Sequence, residues 1–460
     1  MLWNRFVQHV FLRLTLPQVT LTHALSLTIF GSIVSIVLVL WTVDQATPNA
    51  HVTDEASAPA DLRSLSLLVQ EYLEVGDGAK AADALKQILR HPGADLSTVE
   101  PLVRSGQPYS PQPVGLQPGR PVLVRGRTYR YGLSVPSSYR PTKAYALVVC
   151  LHGAGFTGDS YLARWESRLG NEYILACPTL LNGNWWSRKA EDLVLATIRT
   201  VRARYRIDAD RLLLTGMSNG GIGAYLIGMH QAPLFAGVAP MASGLDDVLF
   251  PFLQNLLHTP VYIIHGKYDQ VMPVELSRSI VGELTRLGYT FVYREHHSRH
   301  PMAGGHFFPR EQLGDLVAWF SAQRRDPLPK RVTVIRDASH LTAFSWVRID
   351  ATDRIASFSD QLINSRDEAI VNRIYAALDA SIVAPNRIEV HTQHVRRYSL
   401  FLNEELINLR RPVTIVTNGR PSYEGTVPLS LETLLRQARL RQERQVLFPA
   451  IVRIAVDSGP

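Results

Sequence analysis

Residues 211–221 read RLLLTGMSNGG: an apolar strand pattern over Leu212 to Thr215, then Gly216-Met217-Ser218-Asn219-Gly220, then a helix start built from small residues. A serine on so tight a strand-to-helix turn needs neighbours without Cβ atoms two positions to either side, because the turn forces backbones together. The helix that follows aims its first N–H groups at the serine oxygen, where negative charge would develop. This is the G-x-S-x-G arrangement of a nucleophile elbow. The plain alternative is a glycine-rich turn carrying a solvent-facing serine.

A serine nucleophile also needs donors for the oxyanion, a base, and an acid that orients the base. Upstream, the buried-strand run of residues 145–151 (YALVVCL) ends in His152-Gly153-Ala154-Gly155. Backbone N–H groups of Ala154 or Gly155, together with that of Asn219, are the expected oxyanion donors. Downstream, residues 260–265 (PVYIIH) read as another strand, and Asp269 lies just past its C-terminal end, on the functional face of an α/β sheet. Asp269 is the expected acid, with Asp246 and Asp247 as competitors. The base is expected from the loop after a last strand at residues 290–295 (TFVYRE), which carries His296, His297, His300 and His306. His306 follows Gly304-Gly305, a turn that lets an imidazole project back over the sheet edge, and it is the expected base. His296 and His300 stand at i, i+4, but no carboxylate or cysteine accompanies them at ligand spacing, so no metal is expected; a solvated basic loop accounts for the other three histidines. No organic cofactor is required by this chemistry. His152 and the adjacent Trp185 and Trp186, in a loop after a strand at residues 173–176, are the expected substrate-contacting side chains, with one tryptophan of the pair packed beneath the loop.

The order Ser218, Asp269, His306 along the chain is the α/β-hydrolase order. With Tyr131–Pro136 (YGLSVP), Leu151-His152-Gly153-Ala154-Gly155, residues 205–211 (YRIDADR), Gly216 to Gly221, His265-Gly266-Lys267-Tyr268-Asp269 and Gly304-Gly305-His306, residues 116–322 resemble the polyhydroxybutyrate-depolymerase and feruloyl-esterase-like branch of the α/β-hydrolases. Dienelactone-hydrolase-like and prolyl-oligopeptidase-like enzymes share most of these pieces. The resemblance implies an α/β-hydrolase fold with a doubly wound, mostly parallel sheet, and cleavage of a small-molecule or polymeric ester. Alternatives are a serine peptidase of the prolyl-oligopeptidase type and a non-catalytic binding protein on the same fold. One departure is the absence of a cysteine pair flanking the site.

These groups need a scaffold. At 460 residues the chain exceeds a single core. Its net charge of +8 is dispersed without a basic stripe interleaved with aromatics, which excludes a nucleic-acid partner. Cys150 and Cys177, its two cysteines, each lie in an apolar run and read as small core residues. Residues 25–43 (LSLTIFGSIVSIVLVLWTV) form an uncharged stretch long enough to span a bilayer. Arg5 and Arg13 precede it and Asp44, Asp54 and Glu55 follow, so the positive-inside rule places the catalytic part outside the cytoplasmic membrane, periplasmic or extracellular. The alternative is a long signal peptide cut after Ala50 or Ala58, giving a secreted protein. The expected organisation is a cytoplasmic amphipathic stub (1–19), a transmembrane signal-anchor (20–43), a linker (44–60), a helical hairpin (61–110) serving as spacer or brace on the catalytic domain, that catalytic domain (116–325), and a C-terminal β-sandwich-like accessory domain (330–458) with a helix near residues 429–442. The sequence leaves the oligomeric state open.

Overall fold

The computed structural model describes residues 60–456 except 107, 182–183 and 359–362. The expected stub, membrane span and nearly all of the linker lie outside these residues, as do Asn182 and Gly183 of the tryptophan loop. Among the described residues no helix is long and apolar enough to cross a membrane.

Three helices come first: α1 (Ala60–Glu74), α2 (Gly78–Arg90) and α3 (Leu96–Ser105). The Gly76-Asp77-Gly78 break ends the first helix, and Asp77 starts the second by accepting from the N–H groups of Ala79 (2.7 Å) and Lys80 (3.1 Å). A third helix extends the expected hairpin because Asp95 supplies another cap, accepting from Thr98 N–H at 2.8 Å.

The next elements are β1 (Gly115–Val124), β2 (Arg127–Val135), β3 (Tyr145–Leu151), α4 (Gly158–Leu169), β4 (Ile174–Pro178), α5 (Arg188–Arg202), β5 (Ile207–Met217), α6 (Asn219–His230), β6 (Gly237–Met241), β7 (Val261–Gly266), α7 (Val274–Leu287), β8 (Phe291–His296) and α8 (Leu313–Ala322). The eight strands form one sheet in the order β1-β2-β4-β3-β5-β6-β7-β8. The pairings β1–β2 and β2–β4 are antiparallel and the remainder parallel. Every residue of β3 is buried, which explains its unbroken apolar run. Its side chains alternate between two cores. Leu147, Val149 and Leu151 join residues of α5 and α6, whereas Ala146, Val148 and Cys150 join residues of α4 and α8. Cys150 and Cys177 are free and buried in the second core.

The C-terminal region contains β9 (Arg331–Arg336), β10 (Val347–Thr352), α9 (Ile363–Val371), β11 (Ala376–Ala384), β12 (Arg387–Gln393), β13 (Val395–Leu402), β14 (Val413–Thr417), β15 (Arg420–Gly425), α10 (Leu431–Arg441) and β16 (Ala450–Ala455). They form a three-stranded sheet, β10-β13-β16, and a five-stranded sheet, β15-β14-β12-β11-β9. Tyr398 of the first sheet bonds Thr417 of the second at 2.6 Å between hydroxyls. Asn418 and Gly419 both adopt positive φ, 50° and 79°, giving a tight hairpin between β14 and β15. The pairing of β12 with β14 is parallel, so this region is not a simple run of hairpins.

The three N-terminal helices, expected as a spacer or brace on the catalytic domain, share their core with the C-terminal helix. Leu65, Val69, Leu85, Ile88, Val99 and Val103 share a core with Leu434, Leu435 and Ala438 of α10. The C-terminal helix offers an apolar stripe at helical spacing, and these helices cover it. Arg439 reinforces the contact by donating to the carbonyls of Tyr72 and Val75 at the end of α1.

Candidate active site

Ser218 caps the N-terminus of α6 with φ 59° and ψ −125°, a conformation that costs energy for any residue with a side chain. The flanking glycines make it possible. A Cβ on Gly216 would lie 2.1 Å from the Gly220 carbonyl oxygen, and one on Gly220 would lie 2.1 Å from that of Leu151. The Ser218 N–H donates to the Met241 carbonyl at 3.0 Å, which ties the turn to the end of β6. Ser218 and Asn219 remain half-buried while the rest of α6 is buried, so the helix presents only its N-terminus.

The loop after β3 passes beside this turn. A Cβ on Gly153 would touch the Met217 carbonyl oxygen at 3.4 Å and the Ser218 Cβ at 3.6 Å. Gly155 takes φ 78°, and Ala154 and Gly155 are exposed. His152 is buried and holds the loop: its Nε2 accepts the Leu180 N–H at 3.1 Å, so Nδ1 carries the proton and donates to the Gly153 carbonyl at 2.9 Å. Burial holds its pKa below the ordinary imidazole value, which favours this neutral ring. The Trp185 indole donates to the His152 carbonyl at 2.8 Å and packs edge-on to the imidazole at 5.1 Å. His152 and Trp185 are each 1% exposed, which puts both in supporting positions under the loop; Trp186 is the half-buried member of the pair.

Asp269 follows β7 on a short turn and uses both carboxylate oxygens. Oδ1 accepts from the N–H groups of Val271 (2.8 Å) and Met272 (2.9 Å). Oδ2 lies 2.8 Å from His306 Nδ1 and 3.2 Å from His265 Nε2. Burial pushes its pKa up, but the donors from His265 and His306 outweigh this and bring it to about 2. Asp246 instead caps a 3-10 segment by accepting from Val248 N–H at 3.3 Å, and Asp247 opens that segment.

His306 is set against Asp269 by its glycines. Gly304 has φ 56°, and its Cβ would fall 1.9 Å from the Tyr268 carbonyl oxygen; a Cβ on Gly305 would fall 2.7 Å from the Gly266 Cα. The Gly-Gly turn therefore seats the loop directly on the end of β7. Among the described residues no protein group bonds His306 Nε2. His297 and His300 are exposed loop residues as expected, and the His300 ring packs on Phe307 at 4.7 Å. His296 corrects the expectation of a solvated side chain. It ends β8, pairs with Gly266 in the sheet and is buried, because the strand runs one residue beyond its apolar pattern. His265 was missed as a site residue altogether, since it closes an apolar strand run; its signal is the His-Gly pair four residues before an aspartate.

No family model matches the chain. Feruloyl esterase C of Emericella nidulans is 29% identical over 163 residues, covering 33% of this chain and 58% of that enzyme. The chain thus spans under two thirds of the length of that relative. Among solved structures, a thermostable esterase is 26% identical with a TM-score of 0.38, covering 44% of this chain and 60% of that one. An S-formylglutathione hydrolase from Staphylococcus aureus is 13% identical with a TM-score of 0.38, covering 46% and 98%. The strand order, the strained serine turn ahead of α6 and the sequence likeness to a feruloyl esterase place this chain in the α/β-hydrolase superfamily, among its esterase-like members.

Proposed function

We propose that the chain hydrolyses carboxylic esters through an acyl-serine intermediate. The observation that carries this reading is the Asp269–His306 hydrogen bond, seated by Gly304 and Gly305 at the end of the same sheet that presents Ser218. His306 takes the Ser218 proton as the oxygen attacks the acyl carbon, and Asp269 holds the imidazolium that results. The N–H groups of Asn219 and of Ala154 or Gly155 receive the oxyanion. His306 then returns the proton to the leaving alcohol, and water repeats the sequence to release the acid. Exposed apolar side chains next to these elements, Leu181, Met302 and Phe307, favour an ester with an apolar or aromatic group over a wholly polar one.

Fluorophosphonate labelling of the parent compared with Ser218→Ala tests the assignment. Labelling of the parent alone is expected, and equal labelling of both proteins sinks it. Turnover of p-nitrophenyl butyrate without cleavage of proline amides is the expected substrate pattern; the reverse pattern supports a peptidase. The charge bias around residues 25–43 further supports placement of the enzyme outside the cytoplasmic membrane. An alkaline phosphatase fusion after Ala60 should be active and one after Gln18 inactive.

A further inference from the structure

Asp269 serves two histidines. His265, on β7, is fully buried, and its Nε2 lies 3.2 Å from Asp269 Oδ2 and 2.9 Å from the Met272 carbonyl oxygen. Both neighbours are acceptors, so Nε2 carries a proton and is shared between them. The other ring nitrogen, Nδ1, lies 2.7 Å from the Ser277 hydroxyl on α7, and that hydroxyl lies 2.9 Å from the Ser243 carbonyl oxygen. Ser243 in turn sits under the first turn of α6, where a Cβ on Gly221 would meet the Ser243 Cβ at 2.5 Å. A continuous buried path therefore runs from the helix behind Ser218 through Ser243, Ser277 and His265 to Asp269 and His306.

We infer that His265 is a positioning residue for the Ser218–Asp269–His306 site, fixing Oδ2 of Asp269 through Nε2–H and taking a share of the carboxylate charge that His306 would otherwise receive. This rests on the hydrolytic reading above. The carboxylate plane is already pinned at Oδ1 by two backbone N–H groups. Without His265, Oδ2 would answer to His306 alone. A more basic Asp269 would hold the His306 imidazolium more tightly, and the base would then be uncharged only at higher pH. The other titratable groups facing this cluster are Tyr225 on α6, which neighbours Ser277, His296 on β8, His297 beyond it, and Glu311 ahead of α8; they are unaltered in the variants below.

The test compares His265→Leu, His265→Gln and Ser277→Ala with the parent. Two readouts are taken: kcat and KM for p-nitrophenyl butyrate across pH, and the His306 ring followed by NMR of histidine-labelled protein. In His265→Leu, kcat should fall by about 10–100-fold with KM nearly unchanged, because the defect lies in proton transfer and not in binding. The His306 ionisation should move to higher pH in both readouts. His265→Gln offers an amide N–H towards Oδ2 and should recover most of the shift. Ser277→Ala should give a smaller shift in the same direction. An unmoved His306 ionisation in folded His265→Leu, or an equal shift in the Leu and Gln variants, overturns the proposal. If His265→Leu does not fold, Gln against Ser277→Ala decides it: a Ser277→Ala ionisation identical to the parent's counts against the path. The NMR readout needs no turnover, so an inactive parent would defeat the ester-hydrolase reading while His265 is still judged on His306.

Discussion

Two buried histidine–carboxylate assemblies stand at the two ends of α6, and they use similar groups for different ends. At the N-terminus, Asp269 collects His306 and His265, and His306 keeps its Nε2 unbonded among the described residues. At the C-terminus, Glu191 of α5 bonds His230 at 3.2 Å and His340 at 2.9 Å, and His340 also bonds Asp337. Both nitrogens of His340 are thus taken by carboxylates. The His230 and His340 rings stack at 3.7 Å with planes 23° apart. The ligand atoms of Glu191, His230 and His340 lie within 4.8 Å of one another, but near-parallel stacked rings cannot both direct in-plane lone pairs at one ion. Arg336 donates to the His230 carbonyl at 2.8 Å, so positive charge already faces the group. Glu191 and His230 belong to the hydrolase part and Asp337 and His340 to the segment after β9. This second assembly is a joint. A histidine with an uncommitted nitrogen can move a proton to a substrate; one clamped between two acids holds two parts of a chain together.

Removing one histidine from each assembly should separate their roles most strongly. His306→Ala should lower kcat by roughly 10⁴-fold while the unfolding midpoint in urea moves little. His340→Ala should do the reverse. It leaves Glu191 and Asp337 buried without their shared cation, a loss of about 3–5 kcal/mol of stability, while kcat per folded molecule stays within about threefold. A large kcat loss in folded His340→Ala would show that the joint shapes the active site.

The two assemblies should also respond to pH with opposite slopes. At the Ser218 end the proposed base must be uncharged, so kcat/KM should rise as pH increases through an imidazole ionisation. Asp269, held to about 2, stays ionised throughout. At the joint, burial lowers the His340 pKa, but bonds to Asp337 and Glu191 outweigh it and the net shift is upward. A folded-state pKa above the unfolded value of 6.5 means that its stabilisation is whole below that value and is lost as pH rises through the folded one. Burial keeps the His230 pKa below 6.5, and above about pH 7 that ring is uncharged whether folded or unfolded and does not contribute to the slope. Urea midpoints of the parent minus those of His340→Gln should therefore shrink between about pH 7 and pH 9. A constant difference would refute the ionised joint.

The same contrast explains what could be read from sequence. The elbow, the oxyanion loop and the Gly-Gly-His turn are local: Gly216, Gly220, Gly304 and Gly305 are each required by a close backbone contact, and Gly155 by its positive φ. Their residue types and order along the chain therefore pointed to Ser218, Asp269 and His306 as the candidate site, and the structure brings the last two together. The joint has no local signal. His340 and Glu191 are 149 residues apart, and each looks like an ordinary residue of a helix or loop. The strands β11 (AALDASIVA) and β15 (RPSYEG) carry weak local signals, the first because alanines have little strand preference and the second because of a proline that an edge strand tolerates. The partner of the N-terminal helices was equally invisible, because an apolar stripe says that a face is covered and not by what.

The smallest expected effects distinguish the remaining histidines of the loop. His297 and His300 are exposed, and His300 serves the turn through its backbone: its N–H donates to the Gly304 carbonyl at 2.6 Å and its carbonyl accepts from Gly304 N–H at 2.9 Å. Alanine keeps both backbone bonds and loses the Nδ1 contact to Met302 N–H at 3.3 Å and the ring contact with Phe307. His297→Ala and His300→Ala should therefore change kcat by less than about tenfold, with any effect of His300→Ala appearing in KM if Phe307 lines the substrate. His296 is different, being buried, with Nδ1 unpartnered among the described residues, and close enough to feel the charge of Asp269. His296→Ala opens a gap beside the acid and should cost more stability than the other two while still leaving kcat far above that of His306→Ala. If instead His296→Ala or His300→Ala matched His306→Ala in kcat, the base would have been misassigned. The contrast between an uncommitted imidazole and a clamped one would then have to be redrawn around that residue.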